Sequence, residues 1–438
     1  MPMMNFRTVM IAVLLCMPVM SCMAQLNDEE AAMLAWIDSR EPKALELIEQ
    51  LVNINSGTMN HAGVRTVGGI LDGELADLGF DTEWIELPEE VDRAGHLFAR
   101  RNGDRGKRLL LIGHLDTVFE PDDAFQTFVR DGAHATGPGA MDMKSGDVIL
   151  LYALKALSEV DALAGTQIVV AYSGDEESPG SPLAATRRDL IEAGQWAEIA
   201  LGFEEATVDD QAEWAVTSRR GSSSWRLEVT GRQAHSSQIF SEQVGAGAIF
   251  EAARILADFY AEVRGEEYLT FNAGTILGGT VVDYDSVQTR GEAFGKNNVV
   301  PQRAIVQGGI RTISSQQLEW AREAMRNVVA RHLPLTDASI SFSDGYPAMA
   351  PTEGNLRIQE MISTINRDLG RGPMPAVDPS RRGAADISFV APFTDGIDGL
   401  GGRGGNGHSP EEWLDLESVP LAIKRAAILI YRLSRNGN

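Results

Sequence analysis

The chain has 438 residues, enough to bury large cores and to divide into two domains. Its formal charge of −24 excludes nucleic acid and anionic membrane surfaces as partners, because phosphate binding needs clustered Lys and Arg. A hydrophobic share of 44% is ordinary for a globular protein and excludes extensive disorder.

The first element reads as a targeting segment. Arg7 precedes an apolar run from Val9 to Cys16, and the small residues Ser21, Cys22 and Ala24 follow. This is the layout of a secretory signal, and the run is short for a bilayer span. Cleavage after Ala24 leaves a soluble chain starting at Gln25, periplasmic or secreted. Alternatively, Val19-Met20-Ser21-Cys22 resembles a bacterial lipobox, which would anchor a lipoprotein to the membrane through Cys22. Met20 is unfavourable there, so the soluble form is preferred. Cys16 and Cys22 are the only cysteines, so the processed chain has no disulfide.

Residues 30–53 place Leu34, Ile37, Leu45, Ile48 and Leu51 at helical spacing, and residues 67–78 repeat the pattern. Strand-like segments follow at 82–87, 96–101 and 108–113. Leu109 to Ile112 is continuously apolar, as expected of a strand buried on both faces. A helix over 145–157 and buried strands at 167–171 and 198–201 complete an α/β pattern with a mainly parallel sheet. After Arg220 the pattern changes. Trp225, Leu227 and Val229 alternate with polar residues, giving a strand with one wet face. A helix from Val244 to about Val263 follows. Strands near 268–277 and 304–311, a helix over 316–332 and a strand at 339–342 come next. The order β-α-β-β-α-β is the ferredoxin-like split motif and implies an inserted domain. The α/β pattern then resumes, with helices at 355–369 and 416–433. The expected division is a signal peptide (1–24), a main domain in two parts (25–220 and 346–438) and the insert (221–345).

His114, Glu176, Glu177 and Glu204 each follow a predicted strand, where open parallel sheets collect ligands. Asp142 lies in a glycine-rich turn before a helix, and His408 follows a glycine-rich stretch. Each acid taken singly is better explained as a helix cap or an ion-pair partner. Together, two imidazoles and several carboxylates suit divalent ions, and hydrolysis by a metal-activated water is the first expectation.

The stretches Gly-His-Leu-Asp-Thr-Val (113–118), Gly-Pro-Gly-Ala-Met-Asp-Met-Lys-Ser-Gly (137–146), Asp-Glu-Glu (175–177), Phe-Glu (203–204) and Gly-His-Ser (407–409) carry a specific resemblance. In order and spacing the chain resembles the dinuclear zinc peptidase and amidohydrolase family of glutamate carboxypeptidase, aminoacylase and succinyl-diaminopimelate desuccinylase. The resemblance implies a phosphorylase/hydrolase-like α/β catalytic domain with an inserted ferredoxin-like dimerisation (lid) domain. It implies two Zn2+ ions per subunit, with other divalent ions as substitutes. Asp142 would bridge them, His114 and Glu204 would complete one, and Glu177 and His408 the other. Asp116 would orient His114, and Glu176 would be the general base. His235 would reach a partner subunit's site in a homodimer, while Asn298 and Arg311 would hold a substrate carboxylate. The expected substrate is a peptide or N-acyl amino acid, cleaved beside a free carboxylate. One departure stands out. Family members that release glutamate tend to carry Arg before a proline where this chain has Tyr346-Pro347, and Arg381 and Arg382 are the nearby cations that could compensate.

Overall fold

The computed structural model describes residues 26–285 and 289–435, so the segment expected to be a signal peptide lies outside the described residues. The main sheet has six strands, in the order Asp81–Ile85, His96–Arg101, Thr166–Ser173, Arg105–His114, Ile199–Gly202 and Asp395–Ile397. The last four are mutually parallel, and the first two form an antiparallel hairpin on one edge.

Successive side chains of a strand point to opposite faces, so an unbroken apolar strand must be covered twice. The central strand shows this directly. Leu109 and Leu111 pack into the larger core, with helices Asp28–Val52, His61–Asp77, Ser145–Glu159, Glu353–Asp368 and Ser418–Arg435. Leu110 and Ile112 pack into the other core, with Leu190 and Ala193 of the short helix Arg188–Trp196 and with Phe389. That short helix was not expected from the sequence.

Residues 221–344 build a second unit. Its antiparallel sheet runs Thr270–Gly279, Arg303–Thr312, Gly221–Thr230 and Asp337–Asp344, which is the ferredoxin-like order. Trp225, Leu227 and Val229 face helices Ala248–Asp258 and Ser315–Val329 in a core of their own. The first of these helices begins four residues later than its apolar pattern suggests. Gly245 and Gly247 take φ of +74° and +77°, left-handed values that no helix interior accommodates. The chain enters and leaves this unit side by side. Arg219 and Met349 exchange backbone hydrogen bonds at 2.9 Å, and Ser222 N–H donates to Tyr346 O at 2.8 Å.

Candidate metal centre

The main sheet delivers three segments to one edge. His114 ends its strand in register with Ser173, after which Glu176 and Glu177 follow, and Gly202 leads to Glu204. Asp142 lies in the turn Ala140–Lys144 that opens helix Ser145–Glu159. His408 lies in the loop between the short strands Gly404–Gly405 and Trp413–Asp415. These two strands join His134–Thr136 and Val129–Asp131 in a small antiparallel sheet, which brings the Asp142 and His408 loops together.

His114 Nε2 lies 3.3 Å from Asp142 Oδ1 and 3.7 Å from Glu204 Oε1. His408 Nε2 lies 3.2 Å from Asp142 Oδ2 and 3.1 Å from Glu177 Oε2. Asp142 therefore turns one oxygen to each of two triads, whose donor atoms lie within 4.8 Å of one another. The charge balance points the same way as the donors. Burial pushes the Glu177 carboxyl up to about 7, against the pull of His408. Burial and then Asp142 lift Glu204 well above the ordinary range. Hydrogen bonds to Asp142 and Glu177 push the His408 imidazole up to about 11. Burial opposes the charge on Asp142, but hydrogen bonds from His114 and His408 outweigh it and hold its carboxyl low. Burial and neighbouring carboxylates oppose the ionisation of Glu177 and Glu204 together, a shortage of positive charge that dications relieve. The donor set thus fits two small divalent cations that share Asp142.

Asp116, wholly buried, stands behind this cluster. Its Oδ2 accepts the Thr58 hydroxyl at 2.6 Å and the Glu177 N–H at 3.1 Å. Its Oδ1 accepts the Glu176 N–H at 2.9 Å and lies 3.5 Å from His114 Nδ1. One carboxylate thereby backs an imidazole and the two glutamates. The Glu176 carboxyl is raised well above its usual range by burial, with His114 opposing and Asp386, Glu177 and Asp142 adding to the rise. It is therefore an electrostatic neighbour of the cluster. No hydrogen bond of its carboxyl to either imidazole occurs among the described residues.

Two supports escaped sequence reasoning. Buried Glu412 accepts the N–H groups of Met141, Asp142 and Gly139 at 2.8, 3.1 and 3.4 Å, and so clamps the Asp142 turn. Buried Arg219 donates to Asp398 at 2.6 Å, and Asp398 accepts the Glu204 N–H at 3.4 Å. Proximity of Glu412 to the Gly-His-Ser motif was the one available signal; Arg219 and Asp398 lie 179 positions apart and gave none.

The remaining expected residues lie elsewhere. His235 Nδ1 is 2.8 Å from Ser237 Oγ, and the Asn298 carbonyl accepts the Ser236 N–H at 2.9 Å, so these two exposed residues sit together on the second unit. Arg311, also exposed, lies on strand Arg303–Thr312, where burial and then Arg220 lower its pKa. Among the described residues, no hydrogen bond or ion pair links these three to the metal-type groups. Arg382 pairs with Glu205 at 2.5 Å and Arg381 with Asp209 at 2.8 Å, so both cations are engaged. The His408 side chain is 57% exposed and faces a cavity of about 400 Å³, also lined by Asp142, Glu205 and Arg382.

The family model for peptidase family M20/M25/M40 matches residues 110–432, and the chain belongs to that family. It is a hydrolytic enzyme of the peptidase class. Over 402 residues, 90% of each chain, it is 27% identical to Carboxypeptidase G2 of Pseudomonas sp. (strain RS-16). Over 303 residues it is 28% identical to Succinyl-diaminopimelate desuccinylase of Cupriavidus necator, covering 66% of this chain and 74% of that relative. Aminopeptidase PepT from Bacillus cereus shares the fold, with a TM-score of 0.71 at 17% identity, over 90% of this chain and 99% of that one.

Proposed function

We propose that this enzyme is a dizinc carboxypeptidase that cleaves short peptides or N-acyl amino acids next to a free carboxylate. The observation that carries this reading is Asp142, with one oxygen on each of two His-carboxylate triads. His114, Asp142 and Glu204 would hold one ion, and Asp142, Glu177 and His408 the other. Two such ions supply Lewis acidity for the scissile carbonyl and lower the pKa of a water.

The chain's own groups do the rest. Glu176 takes the proton of the attacking water and passes it to the leaving nitrogen. Asp116 holds the His114 ring and the Glu176 main chain in place, a role typical of carboxylates behind a ligating imidazole. Asn298 and Arg311 receive the substrate carboxylate, to which a guanidinium presents a planar fork. His235 steadies the tetrahedral oxyanion in a partner subunit. The homodimer this requires would form through residues 221–345, where Phe250, Ile276 and Phe294 are exposed apolar side chains. The charge and leader support a soluble periplasmic or secreted enzyme processed after Ala24.

Tyr346, in place of an arginine, favours a second reading, an N-acyl-amino-acid deacylase with the same metals. A panel of peptides and N-acyl amino acids, assayed for released amino acid before and after chelation, tests both. Release from peptides at their carboxyl end supports the first reading, release from acyl amino acids alone the second, and no release from either refutes both.

A further inference from the structure

Tyr346 is the departure that the metal chemistry leaves unexplained, and its side chain faces inward. Its hydroxyl donates to the Glu176 carbonyl at 2.8 Å and accepts from Arg187 Nη2 at 2.8 Å. Its ring packs edge-on against Phe389, with centroids 4.8 Å apart. Arg187 is wholly buried and spends every side-chain nitrogen locally. Nε donates to Asp386 at 2.7 Å, Nη1 to Asp175 Oδ1 at 2.5 Å, and Nη2 also to the Asp175 carbonyl at 3.1 Å. The second Asp175 oxygen accepts the Gly180 N–H at 2.9 Å.

The consequence for Glu176 is geometric. Its N–H is held by Asp116 and its C=O by Tyr346, so both peptide groups flanking its Cα are pinned. Pinning both peptides restricts φ and ψ and therefore the direction in which the side chain leaves the backbone. We infer that Tyr346 is a positioning residue for Glu176: its hydroxyl, seated on Arg187, aims the general base instead of contacting substrate. This rests on the proposed role of Glu176. It also accounts for the departure. A phenol donates and accepts at once, which an arginine at this position cannot do toward Arg187 and a carbonyl.

The test is Tyr346→Phe in the full-length, zinc-loaded enzyme, which deletes one oxygen and keeps the ring against Phe389. The probe is an N-acyl amino acid or dipeptide that the unmodified enzyme hydrolyses. We expect kcat to fall roughly 10-fold, a fraction of the penalty for an ångström of misplacement, with KM within about twofold. Zinc content should stay as in the unmodified enzyme, and the melt should stay cooperative, at a midpoint lowered by the two lost hydrogen bonds. In a Glu176→Gln background the same change should cost nothing more, because the group it aims is gone. A raised KM with kcat intact would make Tyr346 a substrate contact and overturn the inference. So would an additive loss in the double variant, an unchanged kcat, or loss of zinc or of the cooperative melt. If Glu176→Gln alone remains fully active, the general-base reading fails instead, whatever Tyr346 does.

Discussion

Replacing Asp116 with Asn tests how far one buried carboxylate organises the whole centre. The shape is kept, but an amide has one acceptor oxygen where the carboxylate has two. Oδ1 accepts the Glu176 N–H, and Oδ2 accepts the Thr58 hydroxyl and the Glu177 N–H, while the His114 ring nitrogen lies closer to the Asp116 main-chain carbonyl, at 3.1 Å. Whichever way the amide turns, one main-chain N–H, of Glu176 or of Glu177, meets an NH2 group. Hydrogen bonds to a charged acceptor contribute ~1.5–3 kcal/mol each and neutral ones about half that, so losing one bond and weakening the others removes roughly 3–5 kcal/mol of order. Loss of a carboxylate behind a metal ligand typically costs ~10–100-fold in affinity, or ~1.4–2.8 kcal/mol. The remainder should appear as a lower melting temperature of the metal-free protein. Competition with a chromophoric zinc chelator measures the first part, and calorimetry of metal-free samples the second. Zinc affinity within twofold of the unmodified enzyme, together with an unchanged melt, would refute the reasoning.

Elemental analysis should find about two zinc ions per chain, and chelation should abolish hydrolysis that zinc then restores; protein that neither contains nor takes up a transition metal would contradict this. Glu176→Gln should lower kcat by at least ~10²-fold and keep both ions, as expected when only a proton-transfer group is lost. If Glu176→Gln loses metal while Glu177→Gln retains it, the two roles are reversed. An inactive His235→Ala chain mixed with an inactive Glu176→Gln chain should regain activity after subunit exchange, because one site of a mixed dimer keeps both groups; ultracentrifugation and a hydrolysis assay on the mixture decide this.

Sequence legibility followed the physics of each feature. Strand Arg105–His114 was visible because burial on both faces leaves an unbroken apolar run. The second unit was visible because one wet face imposes alternation at Trp225, Leu227 and Val229. Helix Arg188–Trp196 was missed because it buries only Leu190, Ala193 and Gly194, too few to mark a period. The strands Gly404–Gly405 and Trp413–Asp415 are too short to show alternation at all. The positions of His114, Glu177 and Glu204 could be read as strand ends, yet spacing alone did not separate Glu176 from Glu177; that distinction came from family resemblance. Arg187 sits in Arg-Arg-Asp, a run that reads as solvated surface, and only the fold turns it inward between Asp175 and Asp386. Long-range polar partnerships of this kind leave no local pattern.

The paired crossings at Arg219–Met349 and Ser222–Tyr346 have a consequence for how the chain could be rearranged. Closing a long slack loop carries an entropic penalty that grows with its length. A compact insert whose two ends already meet escapes most of it, because the host experiences only the short gap between those ends. To the main sheet, the whole stretch from 223 to 344 is equivalent to a tight hairpin connection. Such a doorway lets the insert change in size while the strands on either side keep their register, so the appendage can vary without loss of the main sheet.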